Sequence, residues 1–330
     1  MKTVLIPPIV NWGFLKQLPQ QIAEQFSLNG YKVLYCNVSP VFQGVKKIND
    51  NLTIYGDYKT CLDEIKKKRI KIDIIYNTAA KNFEIIDTIK PKLSIYHSCD
   101  MFVEWENYEL EMIKRADIVL CTSNKIYKTR KKEHHNVHLL RNGCNDSMVN
   151  SYKIDYSKIK DIMDIESPIA IFCGAIGVWV NTFLLKKTAS MCNTVLVGSE
   201  FGKERPSGII NLGVKEHDEL VNYYSYCTFG LLPFNIKSDI ALAANPIKLW
   251  EYLACGLPVV AMGWEETELE EFEGVVFTSK TKDGFIENVK MILNLSKEEL
   301  EQISEKAKAI AKNNTWEKRF ETINTLIERG

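Results

Sequence analysis

The segment 241–261 reads ALAANPIKLWEYLACGLPVVA and predicts a short helix followed by a buried strand. Asn245 and Pro246 are typical of a helix cap and a first helical residue. Lys248 then lies in the first turn, where a cation meets the positive end of the helix dipole at a cost of about 0.3–1 kcal/mol. Glu251, three residues on, shares its face. The two residues form either an intrahelical ion pair or part of a site that binds an anion at the helix start.

Short β-branched or aromatic runs alternate with amphipathic helical stretches along the chain. Such alternation predicts βαβ units, and therefore an α/β fold of parallel sheets with helices on both faces. The pattern is interrupted at 143–167, which is polar and has no clear strand. We therefore expect two doubly wound, Rossmann-like domains at 1–150 and 168–314, joined by a linker at 151–167. Ligands of such domains bind at the carboxyl ends of the strands, which predicts a site in a cleft between the two.

The last segment, 315–330, predicts one more helix. Thr315 is a suitable cap, and Trp316, Phe320 and Ile323 follow at helical spacing. This helix either closes the second domain or crosses back onto the first.

The composition is globular: 330 residues, 45% hydrophobic and 25% charged. No apolar run approaches the ~18–20 residues of a membrane span, and MKTVLIPPIV is interrupted too soon for a signal peptide. The nine cysteines form no CxxC pair, so we expect buried thiols in a reducing cytoplasm. The histidines at 134, 135 and 138 lack a nearby carboxylate or thiol pattern, so no metal site is predicted.

The net charge of zero conceals an asymmetry. Residues 1–150 hold 22 Lys and Arg against 16 Asp and Glu, a net charge of +6, and the remaining residues hold 20 against 26, a net charge of −6. The basic excess is concentrated in KKKRIK (66–71) and KTRKKEHH (128–135). These clusters are either solvated helix faces or a surface attracted to an anionic membrane or an acidic acceptor. No nucleic-acid-binding motif accompanies them, so nucleic acid is not an expected partner.

Four segments in order carry a family resemblance. They are NWGFLKQLPQQIAEQFSLNGYKVLYCNV (11–38), EWENYELEMIKRADIVLCTSNKIYKTRKKEHHNVHLLRNGCN (104–145), FCGAIGVWVNTFLL (172–185) and LLPFNIKSDIALAANPIKLWEYLACGLPVVA (231–261). Together they resemble GT-B fold glycosyltransferases of the family 4 type, particularly the bacterial branch that builds surface polysaccharides. The resemblance covers nearly the whole chain, and the fourth segment is the most specific.

The resemblance implies a donor site in the second domain. The diphosphate of a nucleotide-sugar would lie against the start of the predicted 246–255 helix beside Lys248, and Glu251 would bind the ribose hydroxyls. Backbone N–H groups at a helix start and a lysine suit phosphate, so the residues and the resemblance agree. Gly174 and Gly177, after the first strand of the second domain, allow close backbone approach to a phosphate, although a turn explains these glycines nearly as well. By resemblance, Ser199 and Val214 surround the base.

The sequence departs from the family at one position. Many relatives carry two glutamates spaced E-x7-E, and the position eight before Glu251 is Ala243. The polar residues available in its place are Lys237, Ser238, Asp239 and Asn245.

The catalytic candidates lie in YHSCDMFVEW (96–105), which follows a strand of the first domain. In inverting relatives a carboxylate or histidine in this loop takes the proton of the acceptor hydroxyl, which nominates His97 and Asp100, with Glu104 behind them. In retaining relatives a backbone carbonyl or a side chain here lies near the anomeric carbon. The structural alternatives are that His97 is satisfied at a strand end and that Asp100 caps a helix beginning near 102.

We therefore expect a cytoplasmic enzyme, peripheral on the inner face of the membrane, that transfers a sugar to a glycan or lipid-linked acceptor. It needs no bound cofactor or metal, and its co-substrate is a nucleotide-diphosphate-sugar, by default a UDP-sugar. The alternatives are another GT-B enzyme, such as a nucleotide-sugar 2-epimerase, and a non-catalytic GT-B subunit that binds a nucleotide.

Overall fold

A computed structural model describes residues 1–149 and 153–329. These residues fall into two compact units. The first comprises the described residues of Met1–Arg141 and Trp316–Gly330, and the second those of Asn142–Thr315. Each unit is built on its own sheet.

The first unit is an eight-stranded sheet in the order β3-β4-β2-β1-β5-β6-β7-β8, parallel except for the edge pair β3–β4. The strands are β1 (Thr3–Ile6), β2 (Lys32–Cys36), β3 (Val45–Lys47), β4 (Leu52–Tyr55), β5 (Ile74–Asn77), β6 (Leu93–Ser98), β7 (Ile118–Cys121) and β8 (Val137–Leu139). The connecting helices are α1 (Leu18–Leu28), α2 (Tyr58–Lys68), α3 (Glu84–Ile89), α4 (Glu106–Arg115) and α5 (Asn124–Arg130). Apart from β3, the strands are largely buried, as expected of a sheet with helices on both faces.

The second unit is a six-stranded parallel sheet in the order β11-β10-β9-β12-β13-β14. Its strands are β9 (Ile169–Cys173), β10 (Asn193–Val197), β11 (Ile210–Asn211), β12 (Phe229–Leu232), β13 (Val259–Met262) and β14 (Val276–Ser279). Its helices are α6 (Asp146–Val149), α7 (Thr182–Ala189), α8 (Leu220–Tyr226), α9 (Asp239–Ala243), α10 (Ile247–Ala254), α11 (Lys282–Leu293) and α12 (Lys297–Lys312). The first strand of this unit, β9, lies between β10 and β12, so the strand order reverses there. Such a reversal opens a crevice at the carboxyl ends of the strands.

The C-terminal helix α13 (Trp316–Arg329) belongs to the first unit. The ring of Phe320 packs edge-on against Phe26 of α1 at 4.9 Å, and the Tyr31 hydroxyl donates to the Asn324 side chain at 2.7 Å. Of the two positions that the sequence left open for this helix, the structure has the one in which it crosses back.

The division between the units lies earlier than the sequence predicted. Asn142–Val149, expected in the first domain, belongs to the second unit. Most of the expected linker also packs there, because Ile159 and Ile162 are fully buried in that unit's core. Residues 150–152 lie outside the described part of the chain. The polar composition of 143–167 concealed these two anchors, because the two isoleucines are separated by exposed polar residues.

Candidate active site

The helix α10 begins one residue later than predicted. Pro246 has extended backbone angles and occupies the cap position, and the first helical residue is Ile247. The Asn245 side chain caps nothing. It accepts from the indole nitrogen of Trp250 at 3.0 Å and from the backbone of Asn142 at 2.9 Å, and it donates to Glu266 at 3.0 Å. Asn245 is buried, and these bonds give it a structural position next to the helix start.

Lys248 lies in the first turn of α10, where the sequence placed it. Its ammonium group is 4.5 Å from the ring centre of Phe172 in β9 and 5.7 Å from that of Phe234, which follows β12. It therefore lies at the carboxyl ends of the two strands between which the order reverses. Within residues 1–149 and 153–329 the ammonium makes no hydrogen bond or ion pair. Although part of its surface reaches solvent, the dense packing around it lowers the pKa of Lys248, because the charged form loses hydration.

The backbone of Gly174 lies against this ammonium group, and that of Gly198 lies against Gly174. Gly174, directly after β9, has φ of +130°, and a Cβ there would collide with the Lys248 ammonium. Gly198, directly after β10, has φ of +149°, and a Cβ there would collide with the backbone of Gly174. Gly174 N–H donates to the carbonyl of Val197 at 2.8 Å, and Gly198 N–H donates to that of Gly213 at 2.9 Å. The ends of β9, β10 and β11 thus present backbone without side chains, which lets an anion approach closely.

The remaining donor-site candidates near these strand ends differ in exposure. The Trp179 ring occupies the space in which a Cβ of residue 177 would lie, so packing explains the glycine at this position. Ser199 is half-buried at the end of β10, and its carbonyl accepts from Ile176 N–H at 2.9 Å. Val214 follows β11 and is 60% exposed. These residues lie at the same sheet edge as Lys248.

Lys237 and Asp239 are exposed in the connection that follows β12, and Asp239 is the first residue of α9. Ala243, the residue in place of the first family glutamate, is fully buried in the last turn of that helix.

Glu251 does not pair with Lys248. Its carboxylate accepts from the imidazole Nε2 of His217 at 2.6 Å and from the hydroxyl of Tyr224 at 3.0 Å, and the residue is only 4% exposed. The intrahelical ion pair that the sequence left open is therefore absent. The sequence did not predict either partner, because His217 and Tyr224 lie 34 and 27 residues before Glu251. The one indication for His217 was its position in a loop after a strand of the second unit.

The geometry favours a structural position for His97. The Tyr76 hydroxyl donates to Nδ1 at 2.6 Å, and Nε2–H donates to the Leu140 carbonyl at 3.1 Å, so both ring nitrogens are engaged. The ring is 1% exposed, and burial lowers its pKa to about 4. A neutral, enclosed imidazole with no free nitrogen is poorly placed to accept a proton from a substrate.

Asp100 is exposed two residues after β6, at the carboxyl edge of the first unit's sheet. It is not the helix cap that the sequence allowed, because a short 3₁₀ segment at Val103–Trp105 intervenes and α4 begins only at Glu106. Glu104, also exposed, lies in that 3₁₀ segment.

A buried charge network around Arg130 packs next to the loop that follows β6, and it contradicts the sequence-based expectation that Arg130 is part of a basic surface cluster. Arg130, counted in the basic cluster 128–135, is completely buried and pairs with Glu106 at 3.1 Å, Glu133 at 3.0 Å and Glu109 at 3.4 Å. It is therefore not a surface charge. Glu109 also accepts from the Tyr96 hydroxyl at 2.6 Å, and burial raises its pKa. The network ties α4 and α5 to the end of β6.

In the described residues, no group of three or more His, Cys, Asp or Glu side chains could hold a metal ion. None of the helices described here has both the length and the apolar character needed to cross a bilayer.

Comparison with known proteins gives the class of enzyme. The family model Glycosyl transferase-like matches residues 182–325. Sucrose-phosphate synthase from Thermosynechococcus elongatus superposes with a TM-score of 0.77 at 13% identity, covering 100% of this chain and 99% of that one. HepE from Anabaena, in complex with UDP and glucose, gives 0.71 at 13% identity and covers 99% of both chains. WaaG, a glycosyltransferase involved in lipopolysaccharide biosynthesis, gives 0.65 at 14% identity over both whole chains. A search of curated protein sequences finds no match.

The chain is a glycosyltransferase of the GT-B fold. This confirms the predicted fold class of two doubly wound units and the predicted class of enzyme. The finer assignment, to the family 4 branch of bacterial surface-polysaccharide enzymes, stays a prediction.

Proposed function

We propose that this glycosyltransferase transfers a sugar from a UDP-sugar to a glycan or lipid-linked acceptor in bacterial surface-polysaccharide or glycoconjugate synthesis. The observation that carries the donor assignment is the Lys248 ammonium, which has no anionic partner in the described residues. It lies beside the half-buried backbone of Gly174 at the strand-order reversal, the place where doubly wound sheets bind ligands.

The donor diphosphate completes this arrangement. Lys248 and the backbone N–H groups at the start of α10 take its negative charge. The lysine, which is destabilising at this helix end without ligand, becomes stabilising once the diphosphate binds. Glu251 accepts from the ribose hydroxyls, and Ser199 and Val214 flank the base. Lys237 and Asp239 lie where they can contact the sugar in place of the missing first glutamate. UDP is the default nucleotide because HepE, a structural neighbour, binds UDP and UDP-glucose.

In the transfer, the acceptor oxygen bonds to the anomeric carbon while the bond from that carbon to the diphosphate oxygen breaks. The electron pair of that bond passes to the diphosphate, and Lys248 stabilises the charge that develops there. The proton of the acceptor hydroxyl passes to a base. Asp100 is our candidate in the first unit because it is exposed at the carboxyl edge of the sheet and makes no hydrogen bond with the described residues.

We further propose that the enzyme binds to the inner face of the membrane, held there by electrostatic attraction between exposed lysines and anionic lipids. The exposed lysines are Lys66–Lys68 at the end of α2 and Lys131 and Lys132 just after α5. Both helices run from the carboxyl end of one strand back to the start of the next, so both clusters lie at the amino edge of the first unit's sheet. An anionic lipid surface would be attracted to that edge.

The experiment is a thermal-shift screen of UDP, GDP, dTDP and CMP, followed by nucleotide release from the matching sugar donors. Selective binding raises the unfolding temperature by mass action. Stabilisation by UDP together with release of UDP from a UDP-sugar supports the proposal. Stabilisation without any release identifies a binding subunit instead, and stabilisation by another nucleotide alone overturns the choice of UDP.

A further inference from the structure

The Glu251 carboxylate is held by two residues from another part of the second unit. His217 lies in the connection between β11 and α8, and Tyr224 lies on α8. The Tyr224 ring packs edge-on against Tyr252 at 5.2 Å, and the Tyr252 hydroxyl accepts from the backbone N–H of Cys173, at the end of β9 directly before Gly174, at 2.8 Å. The three side chains therefore form a cluster, Glu251–His217–Tyr224, beside the strand end at which we place the diphosphate.

Both partners donate, one to each carboxylate oxygen. An ionised carboxylate has about four acceptor positions, so two remain unused. A ribose presents two vicinal hydroxyls, and these require two acceptors. The carboxylate held by His217 and Tyr224 therefore keeps the two acceptor positions that a diol requires.

Without these donors the carboxylate would be poorly suited to binding. At 4% exposure it has little water to replace a lost hydrogen bond, and a buried charge left unsatisfied is costly. It would also be free to turn about its last side-chain bond. Two donors from α8 and its preceding loop fix that orientation before the nucleotide arrives.

We propose that His217 and Tyr224 are positioning residues that orient Glu251 for the ribose diol, so that the site distinguishes ribonucleotides from 2′-deoxyribonucleotides. This inference rests on the proposed function, in which the second unit binds a nucleoside diphosphate. The residues act through Glu251 and take no part in the bond changes of the transfer.

The test is isothermal titration calorimetry with UDP, GDP and ADP and their 2′-deoxy counterparts, on the full chain. We expect the wild-type protein to prefer the ribose form of the nucleotide it binds by about 10- to 100-fold, the value of a hydrogen bond to a charged group. His217→Ala and Tyr224→Phe should reduce that preference to a few-fold, with little change in the affinity for the deoxy form. His217→Gln should restore part of it, because an amide N–H can donate to the carboxylate.

Tyr223→Phe is the matched control. Tyr223 is the neighbouring buried tyrosine of α8, and its hydroxyl donates to Asp161 at 2.9 Å. This variant should keep the full preference for ribose. In steady-state assays His217→Ala should raise KM for the donor and leave kcat nearly unchanged, because binding to the ribose is the same in the ground and transition states.

Three outcomes separate the failures. If no nucleoside diphosphate binds, the proposed function falls and this inference with it. If the wild type binds the ribose and deoxy forms equally, the donor site stands and the inference is overturned. A ribose preference that survives in both His217→Ala and Tyr224→Phe also overturns it. Should His217→Ala fail to fold, Tyr224→Phe and His217→Gln carry the test.

Discussion

Replacing Lys248 with methionine should separate ligand affinity from stability. Methionine keeps the apolar stem against Phe172 and removes the ammonium, and with it a charged contact to the diphosphate worth about 1.5–3 kcal/mol. Nucleotide affinity should therefore fall roughly ten- to a hundred-fold. Without ligand, the variant loses the contact between the ammonium and the aromatic rings, worth about 0.5–2 kcal/mol. This loss is offset because the variant no longer holds a poorly hydrated, unpaired cation in the folded state. The free energy of unfolding should change by less than about 1 kcal/mol.

The pH dependence supplies a second measurement on the same variant. The pKa of Lys248 is lower in the folded protein than in the unfolded chain, so the unfolded state binds more protons between the two values. The stability penalty is full below the folded pKa and vanishes above the unfolded pKa of about 10.4, so stability from this group rises with pH in that window. Lys248→Met should lack this rise.

Urea unfolding and calorimetry with UDP test both statements. Lys297→Met removes an exposed lysine of α12 in the same unit and should match the wild type in affinity and stability. Unchanged UDP affinity in Lys248→Met would refute the reasoning, and so would a loss of several kcal/mol of stability without ligand.

The other predictions concern backbone, catalysis, the buried network and the surface. Gly174→Ala should lower both UDP affinity and the unfolding temperature, because its φ of +130° and the nearby ammonium exclude a Cβ. Asp100→Asn should cut turnover about 10²–10⁴-fold with donor affinity unchanged, and full activity in this variant would exclude Asp100 as the base. His97→Gln should lower the free energy of unfolding and leave turnover unchanged. Arg130→Met should destabilise by about 3–5 kcal/mol in urea titrations, and by more as the pH rises through the pKa of Glu109, because that carboxyl, whose pKa is raised, then ionises without its partner. The protein should sediment with anionic but not neutral liposomes at low salt, and neutralising Lys66–Lys68 should weaken binding to the anionic liposomes. Equal sedimentation with anionic and neutral liposomes would contradict the electrostatic attachment.

The positions that the sequence located correctly depend on near neighbours along the chain. Alternating apolar runs and amphipathic stretches predicted two sets of βαβ units. The segment around Lys248 predicted a short helix at a strand end, within one residue of its start. These features follow from backbone preferences and side-chain periodicity, which operate within about a dozen residues and are therefore readable without the fold.

The tertiary structure alone decided which distant residues meet. Strand order brought Lys248 to the ends of β9 and β12, and it brought His217 onto Glu251 from a loop 34 residues away. The same cause enclosed His97 between Tyr76 and Leu140 and buried Arg130 among three glutamates. A histidine or arginine has the same sequence neighbours whether its side chain is solvated or buried. Its burial and its partners depend on which strands and helices pack around it, and that order is a property of the whole sheet.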